Sequence, residues 1–484
     1  MKPAKTNAGA LAPLLPELSS QEAKAPRRAS VLGAVFNVST SIIGAGIMSI
    51  PATLKVLGVA PALGLIVIIA LLVDVSVEFL LRFTHSGRST TYAGLMAESY
   101  GRIGSVAVQI CVMITNLGCL IIYQIIIGDV LSGNQPEGTG HLGVLQEWFG
   151  FHWWNSRAFA LLIVVLFVLF PLALFRRVGS LRFTSAISVL LAVVFVAISS
   201  VMAISALFEG KAQSPRLLPE LDTQTSFFDL FTAVPVIVTA FTFHFNAAFP
   251  RWRDDFVSYV ASITFTIQDT TAMVNLMPNV NNLNAWIFHP IGSELGKPSD
   301  MISAVRVSLV LCAVIYSSIG IFGYLLFGDS IMPDILVNFD QNSGSAMGAL
   351  LNDTVRLSYA LHLMLVFPLL NFSLRANVDE LLFPKRPLLA TATPRFMSIT
   401  VILLVFSYFA AIAIPNIWYF FQFMGSTSAV CLAFIFPAAI TLRDVHGIST
   451  RKDRVIATIM IILAVATSSV AISTNLYSLF LNKK

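Results

Sequence analysis

Apolar residues in this chain come in long unbroken runs, not at helical or alternating spacing. About 20 apolar residues at a helical rise cross the ~30 Å hydrocarbon layer of a bilayer. The runs lie at 31–57, 59–83, 104–131, 157–175, 182–208, 227–246, 302–327, 351–374, 396–414, 416–442 and 454–481. Each predicts a membrane-spanning helix, which makes eleven in an all-α chain. The ninth and tenth are parted only by Pro415-Asn416, so a tight hairpin is expected there.

Positive charge between the runs orients them, because lysine and arginine favour cytosolic loops. With residues 1–30 cytosolic, all but seven of the 30 lysines and arginines fall on the inner side. The exceptions are Lys55, Arg157, Lys211, Arg216, Arg356, Lys483 and Lys484. The alternation predicts a cytosolic N-terminus and an outer or lumenal C-terminus. Hydrophobic residues make up 56% of the chain and charged ones 11%, against about 25% charge in soluble domains. A single integral domain, 31–484, is therefore expected behind a disordered cytosolic tail, 1–30. That tail contains no apolar core of a cleavable signal. The net charge of +5 is a topology signal and does not indicate nucleic-acid binding. Cys111, Cys119, Cys312 and Cys431 lie inside apolar runs and read as packing residues. No disulfide, metal site or cofactor is expected from them.

The first run contains its own interruption, Ser39-Thr40-Ser41-Ile42-Ile43-Gly44-Ala45-Gly46-Ile47-Met48-Ser49-Ile50-Pro51. Glycine weakens a helix by roughly 1 kcal/mol against alanine. Two glycines beside hydroxyl residues and ahead of a proline mark a place where a spanning helix can open. Open backbone at bilayer depth is tolerated only in a cavity or inside protein, and in transporters such breaks form the substrate site. A small-residue packing face for a neighbouring helix is the other reading.

Several polar residues lie within the runs: Asp74, Glu78, Asp129, His244, Asn246, His362 and Asn371. An ionisable group at membrane depth costs about 2.5 kcal/mol or more, so each needs a partner or a function. Asp74 and Glu78, one turn apart, are expected to pair with Arg82 or inner-loop bases. His362 is either a histidine bonded to a neighbouring helix or a proton carrier. Motifs of membrane hydrolases and phosphate-binding loops are absent from the sequence, so an enzyme is not expected. A broken first helix favours a carrier over a channel.

The stretch Ala34-Val35-Phe36-Asn37-Val38-Ser39-Thr40-Ser41-Ile42-Ile43-Gly44-Ala45-Gly46-Ile47-Met48 resembles the first helix of the amino acid/auxin permease family. Tyr123-Gln124-Ile125-Ile126-Ile127-Gly128-Asp129, Phe241-Thr242-Phe243-His244-Phe245-Asn246, His289-Pro290-Ile291-Gly292-Ser293-Glu294-Leu295 and Phe367-Pro368-Leu369-Leu370-Asn371-Phe372-Ser373-Leu374-Arg375 extend the likeness. The plant vacuolar subgroup is the nearest in character, with sodium-coupled neutral amino acid transporters as relatives. The resemblance implies a LeuT-like inverted repeat of five plus five helices, the first and sixth broken, with an eleventh appended. It implies an amino acid site formed by Thr40, Ser41, Ile43, Gly44, Ala45, Gly46, Ile47, Tyr123, Phe241, Thr242, Phe243 and His244. The carboxylate belongs at the half-helix starting near Gly46, where N–H groups and the helix dipole favour an anion. The ammonium group belongs at carbonyls near Phe241, Thr242 and Phe243. Asn37 and His362 are candidates for the coupling ion.

Two departures from the family pattern bear on mechanism. Sodium-coupled relatives place a hydroxyl shortly before the proline of the eighth helix. Here the stretch is Leu361-His362-Leu363-Met364-Leu365-Val366-Phe367-Pro368, and a thioether is a poor sodium ligand. A proton is the expected coupling ion. Residues 248–288 separate two segments that adjoin in the family. They read as unspliced intron translated in frame or as a functional loop. Under the intron reading, joining Ala247 to His289 restores the transporter, and the full chain is weak or inactive beside it. The expected function is secondary active transport of amino acids out of a vacuole. A transporter-like amino acid sensor and a passive channel are the alternatives.

Overall fold

A computed structural model describes residues 31–89, 91–133, 141–175, 182–220, 227–244, 298–339, 346–383, 389, 392–414 and 417–481. The N-terminal tail, the stretch 248–288, the motif beginning at His289, the Pro415-Asn416 hairpin and Asn246 lie outside the described residues.

All regular elements described are helical. In chain order they are α1 (Val31–Ile42), α2 (Gly46–Leu57), α3 (Val59–Ser86), α4 (Tyr92–Ser132), α5 (Val144–Phe149), α6 (Arg157–Ala173), α7 (Arg182–Phe208) and α8 (Phe227–Ala240). Then follow α9 (Pro298–Phe327), α10 (Ile335–Asn338), α11 (Ala346–Leu382), α12 (Thr393–Ala413), α13 (Ile417–Arg443) and α14 (Arg451–Leu481). Among the described residues eight helices are long and apolar enough to cross a membrane; α1 with α2 makes a ninth as a pair bent by 57°. The apolar helices α6 and α8 are shorter. Thus each apolar run of the sequence contributes helix among the described residues, while the count by length stands there at eight or nine and not eleven.

Sequence explains where helices depart from regularity. Gly101 takes φ +66° inside α4, a backbone conformation costly for residues with a Cβ. It turns the polar opening of α4 against its apolar remainder, so this helix starts earlier than the apolar run at 104. Widened π turns at Val165–Leu169 and Cys431–Ile435 stand just ahead of Pro171 and Pro437. A proline ring clashes with the carbonyl one turn back, and a π turn relieves that clash within an otherwise continuous helix.

The core lies where α1, α2, α4, α8, α9 and α11 meet. Ion pairs stand at both ends of the bundle. At one end Arg306 bridges Asp74 at 3.2 Å and Glu78 at 2.8 Å, and Arg82 bonds Asp453 at 2.8 Å. The partner of the α3 carboxylates is therefore Arg306, in the first turns of α9, and not Arg82. At the other end Asp129 pairs with Arg157, and Arg356 reaches Glu147 at 2.5 Å.

Candidate functional site

The chain leaves helical geometry at Ile43–Ala45, between α1 and α2. Around this break the carbonyls are occupied by side chains from other helices. Tyr316 on α9 donates to the Ile42 carbonyl at 2.8 Å, and Tyr359 on α11 donates to the Gly44 carbonyl at 2.7 Å. His362 Nε2 lies 3.3 Å from the Ile43 carbonyl. The N–H groups of Gly44, Ala45 and Gly46 donate to no backbone carbonyl among the described residues. The Tyr123 hydroxyl lies against the Ala45 backbone and faces Gly44 closely enough to block a side chain there.

A second helix end adjoins this break. α8 ends at Ala240, where the Phe241 N–H still bonds back to Ile237 and Val238 and the Thr242 N–H to Thr239. The Phe241 and Thr242 donors are thus consumed inside the turn, and among the described residues the Phe241, Thr242 and Phe243 carbonyls accept no backbone hydrogen bond. The Tyr316 hydroxyl is also 3.0 Å from the Ala240 carbonyl, so one phenol sits between the break and the helix end. A Cβ on Gly46 would stand 2.6 Å from Ala240 Cβ, which shows how closely α2 and α8 meet.

The predicted residues divide into those at this junction and those that support it. Ala45, Ile47, Phe241 and Phe243 are buried. The hydroxyl of Thr40 turns back to the Phe36 carbonyl at 2.8 Å, and that of Thr242 to Val238 at 2.7 Å. Ser41 is half-buried. His244 bonds Ser76 on α3 at 2.7 Å, which attaches the end of α8 to α3. Asn37 lies in α1, but its side chain is outside the described set. Tyr316 and Tyr359, which hold the carbonyls at the break, carry no motif. The available signal was a tyrosine inside an apolar span, whose buried hydroxyl requires a partner.

His362 has an unusual setting. Its Nδ1 is 2.6 Å from the Ser188 carbonyl on α7, while Nε2 faces the Ile43 carbonyl. Both neighbours are acceptors, but a neutral imidazole has one N–H. A second proton would complete the link between α7 and the break. Among the described residues, no group of three or more histidine, cysteine or acidic side chains could hold a metal.

Comparison with known proteins places this geometry. The family described as transmembrane amino acid transporter protein matches residues 27–249 and 285–478. The chain is 58% identical to Amino acid transporter AVT6C of Arabidopsis thaliana, covering 94% of this chain and 95% of that one. It is 55% identical to Amino acid transporter AVT6D of the same plant, over 96% and 97%. Human sodium-coupled neutral amino acid transporter 4 is 26% identical, over 88% and 80%. Among solved structures, MhsT in complex with L-phenylalanine aligns with TM-score 0.51 at 15% identity, over 92% and 98%. The Eremococcus coleocola manganese transporter aligns with TM-score 0.56 at 15% identity, over 93% and 87%. These two show a shared transporter fold. The chain belongs to the transmembrane amino acid transporter protein family and is a multi-pass membrane protein.

Proposed function

We propose that the chain is a secondary active transporter that carries amino acids across a vacuolar membrane to the cytosol together with protons. The observation that carries this reading is the division of polar groups at the junction. The Ile42 and Gly44 carbonyls have tyrosine partners and the Ile43 carbonyl faces His362 Nε2, whereas among the described residues the N–H groups of Gly44 and Gly46 donate to no backbone carbonyl and lie beside the end of α8; the Ala45 backbone already meets the Tyr123 hydroxyl. Donors at a helix start suit a carboxylate, and carbonyls at a helix end suit an ammonium group. A zwitterion matches both at once. Such a backbone site reads the amino and carboxyl groups, so side-chain preference comes from the surrounding pocket.

In this reading α1 with α2 is one broken span, and α6 and α8 are spans shorter than the rest. The chain then has eleven spans in a five-plus-five inverted repeat with one appended. The sixth span is broken after Ala240. His362 takes the coupling proton at Nε2, which draws α7 and the break together. The N-terminus is cytosolic, in keeping with the positive loops. The stretch 248–288 is extraneous to the transport unit, a view supported by the family match stopping at 249 and resuming at 285.

The test is uptake of each of the twenty amino acids by purified protein in proteoliposomes, with and without an imposed pH gradient. A form joining Ala247 to His289 is measured alongside. Accumulation above the outer concentration, driven by the proton gradient, is expected. Equilibration without accumulation would make the protein a channel, and binding without flux would make it a sensor.

A further inference from the structure

A buried carboxyl with no assigned task lies near the junction. Between α9 and α11 the chain turns inward at Ile331, and Asp334 caps α10 by accepting the Leu336 N–H at 3.0 Å. The segment is seated deeply: Ile335, Leu336 and Phe339 are all buried. α10 packs on α2 and α4. Ser49 on α2 donates to the Pro333 carbonyl at 2.7 Å. α10 therefore covers α2, whose first turn forms one side of the amino acid site.

Asp334 itself is 4% exposed, and its Oδ2 has no hydrogen-bond partner among the described residues. The charges around it are fixed by other interactions. On α4, Asp129 is paired with Arg157 of α6. On α11, Arg356 is engaged by Glu147 of α5 at 2.5 Å, by Asp353 at 3.9 Å and by the Leu142 carbonyl. On α2, Lys55 reaches the Ile331 carbonyl at 3.5 Å and does not reach the carboxyl. Asp334 thus has a backbone donor at one oxygen and no cation bonded at the other. Tyr359, one turn after Arg356, also lies within electrostatic reach of Asp334 and holds the Gly44 carbonyl.

We propose that Asp334 is a proton-binding site that seals the α10 side of the amino acid site, closed when the carboxyl is neutral and released when it ionises. The identity of what lies beneath the seal rests on the transport reading above; the seal itself does not. A carboxylate cannot remain buried without a compensating cation. Burial, with the repulsion of Asp129, pushes the Asp334 carboxyl up to about 8, against the Leu336 N–H and Arg356. In an open arrangement it returns to about 4, the ordinary value for an aspartate. Between those values the closed form holds one more proton than the open form. Closure therefore weakens as pH rises through that window, by up to about tenfold per pH unit. An acidic compartment on the α10 side closes the seal over bound substrate, and a neutral one opens it.

The experiment uses the full chain carrying Ser49→Cys, with the parent as the blank for its own cysteines. A membrane-impermeant thiol reagent is applied at pH 5.5 and 7.5, without substrate, to this protein and to the same protein carrying Asp334→Asn. Asparagine keeps the helix cap but does not titrate. Both carry the same reporter thiol, so the reagent's own pH dependence cancels in their ratio. The ratio of labelling, aspartate over asparagine, is expected to rise by at least tenfold between the two pH values. Asp334→Glu should retain the rise, and Asp334→Ser replaces the asparagine variant should that one not assemble. A ratio independent of pH overturns the proposal. Amino acid uptake is scored separately: lost uptake with an intact labelling ratio removes the transport reading and leaves the seal standing.

Discussion

The bend between α1 and α2 and the end of α8, which meet at Gly46 and Ala240, differ in the backbone groups that find partners among the described residues. The break between α1 and α2 has carbonyls taken by Tyr316 and Tyr359, with His362 facing a third, and among the described residues the Gly44 and Gly46 N–H groups donate to no backbone carbonyl. The end of α8 spends the Phe241 and Thr242 N–H groups on its own last turn, and among the described residues its Phe241, Thr242 and Phe243 carbonyls accept no backbone hydrogen bond, while Tyr316 reaches that of Ala240. An orphaned backbone group is costly away from water, so leaving opposite groups open on two adjoining segments defines a place for a ligand with opposite ends. Under the proposed function the difference orients the substrate, anion toward α2 and cation toward α8.

The most severe way to break this complementarity is to separate the two segments. Gly46→Leu places a side chain where even a Cβ stands 2.6 Å from Ala240. Uptake should fall by roughly 100-fold or more, the order expected when a binding geometry is displaced by about 1 Å. Surface expression should persist, since the rest of the helix is unchanged. Unaltered uptake would return the double glycine to a packing role. Removing only the shared phenol, by Tyr316→Phe, is gentler. It frees the Ile42 and Ala240 carbonyls together and should weaken substrate binding about tenfold, or ~1.4 kcal/mol. Tyr359→Phe frees a carbonyl on one segment alone and should cost a few-fold, measured as the half-saturating concentration. If Tyr359→Phe proved the costlier of the two, the phenol shared between the segments would not be their main link.

His362→Ala separates coupling from binding. Loss of the proton at Nε2 should abolish the response to an imposed pH gradient while exchange of labelled for unlabelled amino acid persists. An unaltered pH response would make His362 a tie between α7 and the break, with no part in proton movement.

Much of this was legible in the chain. Bilayer thickness sets the length of the apolar runs, so their helices emerge directly. The Gly44-Ala45-Gly46 interruption follows from the weak helix propensity of glycine. What stayed hidden depends on contacts far apart in sequence. Nothing local to Tyr316 or Tyr359 says that its hydroxyl ends on the first helix. Asp334 sits among loop residues whose burial arises only when α10 folds back onto α2. The partner of Asp74 and Glu78 was narrowed to a base at one end, but choosing Arg306 over Arg82 required Asp453 to claim the latter.

The smallest expected effect concerns sodium. A sodium ion needs several hard oxygen ligands, and the helix facing the break supplies few. Leu363, Met364, Val366 and Phe367 of α11 are buried and apolar. Ser358, a turn earlier, directs its hydroxyl to the Val355 carbonyl at 3.0 Å, and Thr40 of α1 directs its own to Phe36. These hydroxyls are held by their own helices. Replacing sodium by choline at constant pH and ionic strength should therefore leave the initial rate of uptake unchanged within about twofold, the scatter of context effects on a site that lacks the ligands. A strict sodium requirement would mean that the carbonyls left at the end of α8 hold a metal cation in addition to the ammonium group. The complementarity of the two segments would then include a third charge.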